Sequence, residues 1–430
     1  MRLALASLLV LTALPSLAAD PPTGAVIGGG DEGLQVVVGP GGTSLEGIAV
    51  PDARCAGGAD ADACQMVTSV LRRDMTLSFF FSVLPPRSYL ADPAEEPLDA
   101  PSFADWSNIG ASYLIKAEIR GAGTYDADFR LFSVSGKSQV VVEDQSARGL
   151  NKGQLRTATH RFCNAVMKAR TGTAGVFDTR IAYAKKIAPG VKGIGVTDMD
   201  GHNKNILISN GSINMLPSWG FGGILYTSFI DGHPELFFGK RKLSRDAGHY
   251  RRVAVSPDGS RMVASISYGD QSDLYLMSKD GQVIKNLTNT AADEVSPTFS
   301  PDGGKIAFVS SAAGSPQIYV MGADGGTPTR LTFAGDYNYA PDWGKNGLIA
   351  FATMTDGNSD IFTVTEGGQI QRLTQNQGTN KDPSWSPDGR YVAFFSQREE
   401  GTGIYIMSAD GRYQSMIAPG GGAANIAWEK

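Results

Sequence analysis

The amino-acid sequence predicts a mainly β protein in which a small α/β domain precedes a six-bladed β-propeller. Three observations predict this fold class. A strand–turn–strand unit recurs through the C-terminal half, the N-terminal part lacks that unit, and glycine is abundant, at 53 of 430 residues. A unit of four short strands that recurs about every 40 to 45 residues is typical of propeller blades.

The repeat is clearest in three copies, "VAVSPDGSRMVASIS" (253–267), "PTFSPDGGKIAFVSS" (297–311) and "PSWSPDGRYVAFFSQ" (383–397). In each copy a strand leads into Pro-Asp-Gly, which favours a tight turn because proline presets one corner and glycine accepts positive φ. Three further strands follow, so each unit supplies one four-stranded blade. The apolar residue before the turn recurs at intervals of 36 to 44 residues, at Trp219, Val255, Phe299, Trp343, Trp385 and Trp428.

These six positions predict six blades over residues 179–430. The sixth copy, "IAWEK" (426–430), stands at the end of the sequence, whereas segments that match the second and third strands of a blade lie at 179–186 and 193–203. We therefore expect the C-terminal strand to complete the blade that begins near residue 179. This pairing closes the ring and removes an open sheet edge.

Residues 34–170 lack the repeat, and their pattern predicts an α/β domain. Apolar residues at helical spacing predict a helix over 65–81, which Pro85 and Pro86 prevent from continuing. A second long helix is predicted over 154–169, and residues 171–178 form the linker to the propeller. The remaining predicted elements are strands at 34–38, 47–50, 113–119, 126–134 and 139–143 and a short helix at 102–108.

The first 33 residues predict export. Residues 1–19, "MRLALASLLVLTALPSLAA", combine a positive start, an apolar segment and a small-x-small cleavage site, which is typical of a secretory signal peptide. Residues 20–33 form a flexible glycine-rich tail. Gly28, Gly30 and Gly33 match G-x-G-x-x-G. The residues that follow favour a strand and not the helix that a dinucleotide site requires, so we expect no cofactor.

Charge and composition exclude several classes of partner. The formal net charge is −5 and the basic residues are scattered, so we expect no nucleic-acid binding and no basic membrane patch. After the signal peptide no stretch reaches about 18 consecutive apolar residues, so we expect no direct membrane insertion. The acidic stretch at 198–201 is explained as a hairpin turn, and we predict no metal site. We expect a monomer.

The sequence contains three cysteines, which is compatible with one disulfide bridge in a protein of an oxidising compartment. Cys55 and Cys64 flank the flexible loop "AGGADADA", and exported proteins tolerate such bridges, so we predict a disulfide between them. Cys163 is then left over. His160 stands three residues before it on a predicted helix, but two ligands do not make a metal centre.

Common catalytic motifs are absent from the sequence. It contains no G-x-S-x-G elbow, no H-E-x-x-H and no P-loop. Acidic pairs occur throughout, as they do in any protein of this size, and the pattern singles out none of them. The motifs therefore give no candidate catalytic residue.

The order of the segments resembles the TolB family, the periplasmic propeller proteins of the Tol–Pal cell-envelope system. The resemblance rests on "FDTRIAYAKK" (177–186) at the domain junction, the blade "SPTFSPDGGKIAFVSSAAGSPQIYVMGADGGTPTRLT" (296–332) and the closing "AWEK" (427–430). It implies a non-enzymatic periplasmic scaffold that links the outer-membrane lipoprotein Pal to inner-membrane Tol components, for envelope integrity and cell division.

The resemblance also implies two binding regions. In this family the mature N-terminal tail can bind the periplasmic domain of the inner-membrane protein TolA, and one propeller face binds Pal. Val36, Val37 and Val38 are therefore expected to add as a strand to a TolA-like partner. The loops that join the fourth strand of one blade to the first strand of the next are expected to bind a Pal-like lipoprotein. Their representative residues are Met215, His249, Asp293, Asn338, Tyr339 and Asn380.

Two other classes of function stay open at this point. An exported propeller enzyme, a hydrolase or lyase that acts on peptides or sugars, requires acidic or basic groups that converge in the channel. A sugar-binding module requires exposed aromatic rings at the loop tips, for which Tyr337 and Tyr339 are the candidates.

Overall fold

The structure is a computed structural model. It describes residues 45–90, 92, 96–355 and 357–430, together with two short strands, β1 (Ala25–Ile27) and β2 (Val36–Val38). The predicted signal peptide (1–19) and the G-x-G-x-x-G stretch (28–33) lie outside the described residues, as does the predicted tail (20–33) except for β1. None of the described helices combines the length and the apolar character that a membrane crossing requires.

The elements of the N-terminal domain are β3 (Glu46–Ala49), β4 (Arg54–Ala56), α1 (Ala61–Leu77), β5 (Phe81–Val83), a 3-10 turn (Pro86–Ser88), α2 (Phe103–Asn108), β6 (Tyr113–Arg120), β7 (Tyr125–Ser133), β8 (Ser138–Val140), β9 (Ser146–Leu150) and α3 (Lys152–Thr171). The strands form a mixed sheet with the order β5-β3-β6-β7-β8, in which β4 also pairs with β6 and β9 with β7. Alternate residues of its strands face opposite sides, as the pleat requires. Ile48 and Ile115 belong to the core that contains the two long helices, and Ala49 and Leu114 to the core on the side of α2.

Residues at the helix ends explain where the two long helices begin or stop. The helix α1 begins at Ala61, four residues before the predicted start, and stops before Phe79, whose φ of 55° is left-handed. The helix α3 begins at a capping box formed by Asn151 and Gln154, which satisfies two backbone donors reciprocally. It ends at Gly172, which accepts a φ of 79° because it has no Cβ.

One disulfide ties the edge of this domain to its first helix. Cys55 in β4 is joined to Cys64 in α1. Cys163 in α3 is free and buried, and burial raises the pKa of its thiol well above the ordinary value.

Six blades of four strands each follow, which confirms the predicted six-bladed propeller. Each blade runs antiparallel from an inner to an outer strand. The strands are β10 (Arg180–Ala188), β11 (Val191–Asp198) and β12 (Asn205–Ile208) in blade 1; β13 (Asn214–Gly220), β14 (Gly223–Ser228), β15 (Glu235–Phe238) and β16 (Arg241–Lys242) in blade 2; β17 (His249–Val255), β18 (Arg261–Ser267), β19 (Ser272–Ser278) and β20 (Val283–Asn286) in blade 3; β21 (Glu294–Phe299), β22 (Lys305–Ser310), β23 (Gln317–Gly322) and β24 (Thr329–Arg330) in blade 4; β25 (Tyr337–Trp343), β26 (Ile349–Thr355), β27 (Asn358–Val364) and β28 (Ile370–Arg372) in blade 5; β29 (Thr379–Trp385), β30 (Tyr391–Arg398), β31 (Gly401–Ser408) and β32 (Tyr413–Pro419) in blade 6; and β33 (Ala423–Trp428).

The C-terminal strand closes the ring, as predicted. The strand β33 pairs antiparallel with β10 as the inner strand of blade 1, with Trp428 opposite Ile181. The indole Nε1 of Trp428 donates to Thr179 Oγ1 at 2.8 Å. Beyond the strand, Glu429 Oε1 accepts from Arg180 Nη2 at 2.6 Å. Because these contacts join residues about 250 positions apart, they form only when the whole ring is assembled.

The strand at Val36–Val38 is placed differently from the prediction, which assigned residues 34–38 to the N-terminal α/β sheet. The strand β2 pairs with β32, with Val37 opposite Gln414, and β1 pairs in turn with β2. The outer edge of blade 6 is therefore extended by two strands from the start of the chain. Three consecutive valines favour a strand, but they carry no information about which sheet edge that strand joins.

The two domains share one apolar core. A single cluster runs from α1 and α3 into blades 1 and 6, where it includes Met199, Tyr391 and Trp428. The ring of Phe79, just after α1, stacks on Tyr413 with the ring centroids 6.0 Å apart. Because this core is continuous, the N-terminal domain is seated on the two blades beside the point of ring closure.

We expect alkylation to distinguish the three thiol groups. Protein exported to an oxidising compartment and denatured without reductant should take up one iodoacetamide group, at Cys163. The folded protein should take up none in the same time, because the thiolate is the nucleophile and burial disfavours it. Intact mass measures the number of groups. Three groups on the denatured protein would contradict the Cys55–Cys64 bridge, and fast labelling of the folded protein would contradict the burial of Cys163.

Candidate partner-binding face

The propeller has two unlike faces. The turns between first and second strands and between third and fourth strands point towards the N-terminal domain. In one of these turns Arg390 Nη1 donates to Thr171 Oγ1 at 2.9 Å, and next to it Tyr391 Oη donates to the backbone oxygen of Ser78 at 3.1 Å. The opposite face is formed by the loops between second and third strands and by the loops that join successive blades. We call it the loop face, and it carries the predicted partner-binding residues.

The predicted residues do not all reach the surface of the loop face. His249 and Asp293 are exposed, and Met215 and Tyr339 are partly exposed. Asn338 and Asn380 are fully buried, so their selection as residues that contact a partner was wrong. The reason is strand alternation: successive side chains of an inner strand point to opposite sides, and these two point between the blades.

The buried amide of Asn338 holds its own loop in place. Its Nδ2 donates to the backbone oxygen of Ala334 and to Gln317 Oε1, both at 2.8 Å, and its Oδ1 accepts from Thr353 Oγ1 at 2.7 Å. Asn380 is bound in a similar way, because its Oδ1 accepts from Ser396 Oγ at 2.7 Å. These residues therefore shape the loop face from beneath, as buried polar groups that are hydrogen-bonded.

The loop face carries an exposed apolar rim that sequence reasoning mostly missed. Five large apolar side chains lie in its loops or at the adjoining strand ends on blades 2 to 5 and are 40 to 73% exposed. Single exposed apolar residues are ordinary, but several on one face mark an interaction surface. A register shift between Tyr339 and Asp342 breaks the period-2 alternation of this strand, so the pattern read back from Trp343 does not separate Tyr337 from Asn338. The rim residues are Ile230, Tyr268, Phe333, Tyr337 and Met354.

Two of the rim aromatics are held in place by neighbours. Tyr268 Oη donates to Asp246 Oδ2 at 2.6 Å, and Tyr250 Oη donates to the other oxygen at 2.9 Å. Burial alone would raise the pKa of Asp246, but these hydrogen bonds and one from a backbone amide hold it below the ordinary value. Tyr337 packs on Tyr339 with the ring centroids 5.5 Å apart. A partner would therefore meet rings whose positions are already set, which limits the entropy lost on binding.

Polar groups interrupt the rim on blade 2 and blade 3. The rings of His233 and His249 lie 5.8 Å apart, and His233 Nε2 lies 2.6 Å from Glu235 Oε1. Asp293 is committed on one side, because its Oδ1 accepts from the backbone amide of Ser272 at 2.9 Å. The loop face therefore combines exposed apolar side chains with polar groups, and protein-binding surfaces contain both.

Two buried acidic groups of the inner strands, Asp342 and Asp382, join blades to one another. Asp342 Oδ2 accepts from the backbone amide of Trp385 at 2.7 Å, and its other oxygen accepts from Lys430 Nζ at 2.6 Å. Asp382 Oδ2 accepts from the backbone amide of Asn425 at 2.7 Å. Each of these bonds links the inner strand of one blade to a residue in or just after the inner strand of another blade. These carboxylates therefore help to hold the ring together.

A buried ionic cluster lies at the domain boundary, away from the loop face. Within the described residues it is the one group of three side chains of metal-binding type, Asp74, His160 and Asp200, with the ligand atoms within 4.8 Å of one another. His160 Nδ1 lies 2.7 Å from Asp74 Oδ2, and Arg156 is paired with Asp200. Because each carboxylate already has a cationic partner, we assign the cluster to ion pairing and name no metal ligands there.

A cleft of about 390 Å³ lies beside this cluster and is lined by both domains. Arg156 and His160 from α3 line it on one side, and Asp198 and His202 from the propeller on the other. Burial raises the pKa of Asp198, and a hydrogen bond from Asn203 partly offsets this shift. Sequence reasoning missed the cluster, because its members lie up to 126 positions apart in the chain (Asp74 to Asp200).

Comparison with known proteins gives a consistent result for both domains. Residues 167–428 match the family model of the TolB beta propeller domain, and residues 34–140 match that of the TolB amino-terminal domain. The chain is 40% identical over 309 residues to the Tol-Pal system protein TolB of Anaeromyxobacter dehalogenans (strain 2CP-C), which covers 69% of this chain and 67% of that protein. It is 34% identical over 255 residues to the protein of the same name from Desulfosudis oleivorans, which covers 56% of this chain and 57% of that protein. The crystal structure of TolB from Acinetobacter baumannii matches the fold with a TM-score of 0.75 at 24% identity, over 92% of this chain and 99% of that one.

Substitution at two adjacent residues separates the structural from the surface positions of the loop face. We expect Asn338→Ala to lower the free energy of unfolding by about 1 to 3 kcal/mol, because it leaves buried hydrogen-bond partners unpaired. Tyr337→Ala, at an exposed side chain, should change it by less than about 0.5 kcal/mol. Urea unfolding followed by circular dichroism measures both. Equal effects of the two substitutions would contradict this assignment of inside and outside.

Proposed function

We propose, because this chain belongs to the TolB family, that it is a non-enzymatic scaffold of the Tol–Pal system in the periplasm. It holds a Pal-like peptidoglycan-associated lipoprotein on the loop face and reaches a TolA-like inner-membrane partner through its N-terminal tail. In this way it links the outer membrane to inner-membrane Tol components and supports envelope integrity and cell division. The observation that carries the proposal is the match of both domains, in the same order, to the two TolB family models.

The loop face supports the proposed lipoprotein site by its composition and rigidity. It combines an exposed apolar rim on blades 2 to 5 with polar groups such as His249 and Asp293. The N-terminal domain covers turns on the opposite face, so it leaves the loop face free for a partner. Loops on a rigid scaffold are where protein binding usually occurs.

The tail supports the second proposed contact by its backbone. Val36, Val37 and Val38 form a strand, and here that strand pairs with β32 of the same chain. A segment that adds to a sheet edge in this way has the main-chain geometry for strand addition to a partner sheet. We therefore keep these three residues as the proposed contact with a TolA-like domain.

The non-enzymatic part of the proposal is supported by the commitments of two carboxylates of the inner strands. Asp342 and Asp382 accept hydrogen bonds from backbone amides of neighbouring blades, which gives these two carboxylates a structural role in joining the blades. Tyr339, a candidate platform for a sugar, donates its hydroxyl to Ser359 Oγ at 2.9 Å and is partly buried. Neither the enzyme nor the sugar-binding alternative gains a specific observation from the described residues.

We expect the mature protein to bind the soluble domain of a Pal-like lipoprotein from the same source, saturably and with one-to-one stoichiometry. Phe333→Ala and Tyr337→Ala should each raise the Kd by about tenfold or more, because exposed aromatic anchors dominate such interfaces. The matched control is Ile284→Ala, an exposed apolar residue on the outermost strand of blade 3. Isothermal titration calorimetry measures all four proteins. Absence of binding would refute the lipoprotein role, and an equal effect of the control would remove the loop face from it.

Deletion of residues 20–38, which removes the tail together with the proposed contact strand Val36–Val38, tests this second contact independently. We expect the deletion to abolish binding of a TolA-like periplasmic domain while binding of the Pal-like domain is retained, because the two contacts lie on different parts of the molecule. The same calorimetric titration measures both. If TolA-like binding is unchanged after the deletion, those residues have no part in it.

A further inference from the structure

Three elements from two domains converge on the buried ionic cluster described above. Asp74 comes from α1 and His160 from α3, both in the N-terminal domain, and Asp200 comes from the turn after β11 in the propeller. Their side chains are at most 5% exposed. The proposed scaffold function uses none of them, and the inference drawn here does not rest on that function.

The N-terminal domain holds Asp200 with cationic groups. Arg156 is paired with the carboxylate, and Arg73 Nε donates to the backbone oxygen of the same residue. His160 Nε2 lies 4.0 Å from Asp200 Oδ2 and has no hydrogen-bond partner, whereas its Nδ1 is bonded to Asp74. The imidazole therefore stands between one carboxylate of its own domain and one of the propeller.

The turn that carries Asp200 has little freedom to move alone. Gly201 has a φ of 82°, and a Cβ at this position would lie 1.8 Å from the backbone oxygen of Ile417 in β32. Met199, on the other side of Asp200, is fully buried in the core shared by the two domains. A movement of Asp200 therefore also moves Met199, which packs in the core that the two domains share.

The charges around His160 balance only when its ring is protonated. Arg156⁺ and an imidazolium then offset the carboxylates of Asp74 and Asp200. The other ionisable groups around the cluster are Cys163 from α3, which contacts Asp74, Asp198 from β11, His202 from the turn, Arg73 from α1 and Tyr391 from β30. With a neutral ring, two buried carboxylates of opposite domains face each other with one fewer cation between them.

We propose that His160 is a proton-operated clasp between the two domains. Its imidazolium is held by Asp74 and attracts Asp200, so the protonated cluster draws the propeller turn onto α1 and α3. Loss of the proton leaves Asp74 and Asp200 to repel each other across the boundary, which loosens the contact.

The direction of the pH dependence follows from the two groups that share the proton. Burial alone lowers the pKa of His160, but the charge and hydrogen bond of Asp74 outweigh it, so the pKa lies above the ordinary 6.5. Burial also raises the pKa of Asp74, and His160 offsets only part of this shift. Among the named causes only the charge of Asp200 comes from the propeller, and it raises the pKa of both groups, so the docked domains hold protons more tightly than separated ones. The clasp is therefore fully present below pH 6.5 and is lost as the pH rises through the raised pKa of His160.

Hydrogen exchange of the mature protein between pH 6 and pH 9 tests the clasp, with rates corrected for intrinsic exchange. In the wild type the opening constant of residues 196–204 should rise with pH, by up to about tenfold per pH unit across the titration. His160→Gln should abolish that slope, because the amide is neutral throughout. The matched control His202→Gln, at an exposed histidine in the same cleft, should keep it. A slope retained in His160→Gln, or absent from the wild type, would overturn the proposal.

A second measurement needs no substitution at His160. The protein has four histidines, and NMR titration of the wild type, with His202→Gln, His233→Gln and His249→Gln for assignment, isolates the ring of His160. We expect this ring to stay protonated above pH 6.5. Titration below that value would overturn the proposal even if His160→Gln failed to fold.

Discussion

The pairing of β33 with β10 is the contact on which the rest of this structure depends. It joins the last strand of the chain to the first strand of the propeller and supplies blade 1 with its inner strand. Trp428 is then buried against Tyr391, with the ring centroids 6.4 Å apart, and Asp342 meets Lys430 across the inner strands. Without this pairing, blade 1 would lack its inner strand and expose an open sheet edge. The pairing of one strand therefore decides whether the six blades form a closed ring.

The N-terminal domain is placed on this seam. Its helices pack on blades 1 and 6, the two blades that the closing strand brings together, and share their apolar core. The ionic cluster of Asp74, His160 and Asp200 lies within the same contact. The domain thus stabilises ring closure, whereas the loop face on the opposite side keeps its apolar rim exposed. One face of the propeller therefore keeps exposed apolar side chains, whereas the N-terminal domain packs on blades 1 and 6 at the other.

Strand alternation explains which site residues could be predicted. The loops that form the face follow from the repeat, since each Pro-Asp-Gly turn fixes which end of a blade points which way. The choice between Tyr337 and Asn338 depends on the register of one strand, because a shift by one residue exchanges inside and outside. Polar character suggested Asn338 and Asn380 as contacts, but their amides are buried and hold the loops instead. The ionic cluster was beyond prediction, since no local pattern joins α1, α3 and a propeller turn.

Much of this architecture is encoded by residues that are close together in the chain. Turn chemistry and hydrophobic periodicity act over a few residues, so they set the strands, the six repeats, the closing strand and the approximate extent of each helix. The tertiary structure alone decided the partner of Val36–Val38, the inward direction of Asn338 and Asn380, and the meeting of Asp74, His160 and Asp200. These depend on contacts between residues far apart in the chain, whose energies arise only after the ring has closed and the two domains have docked.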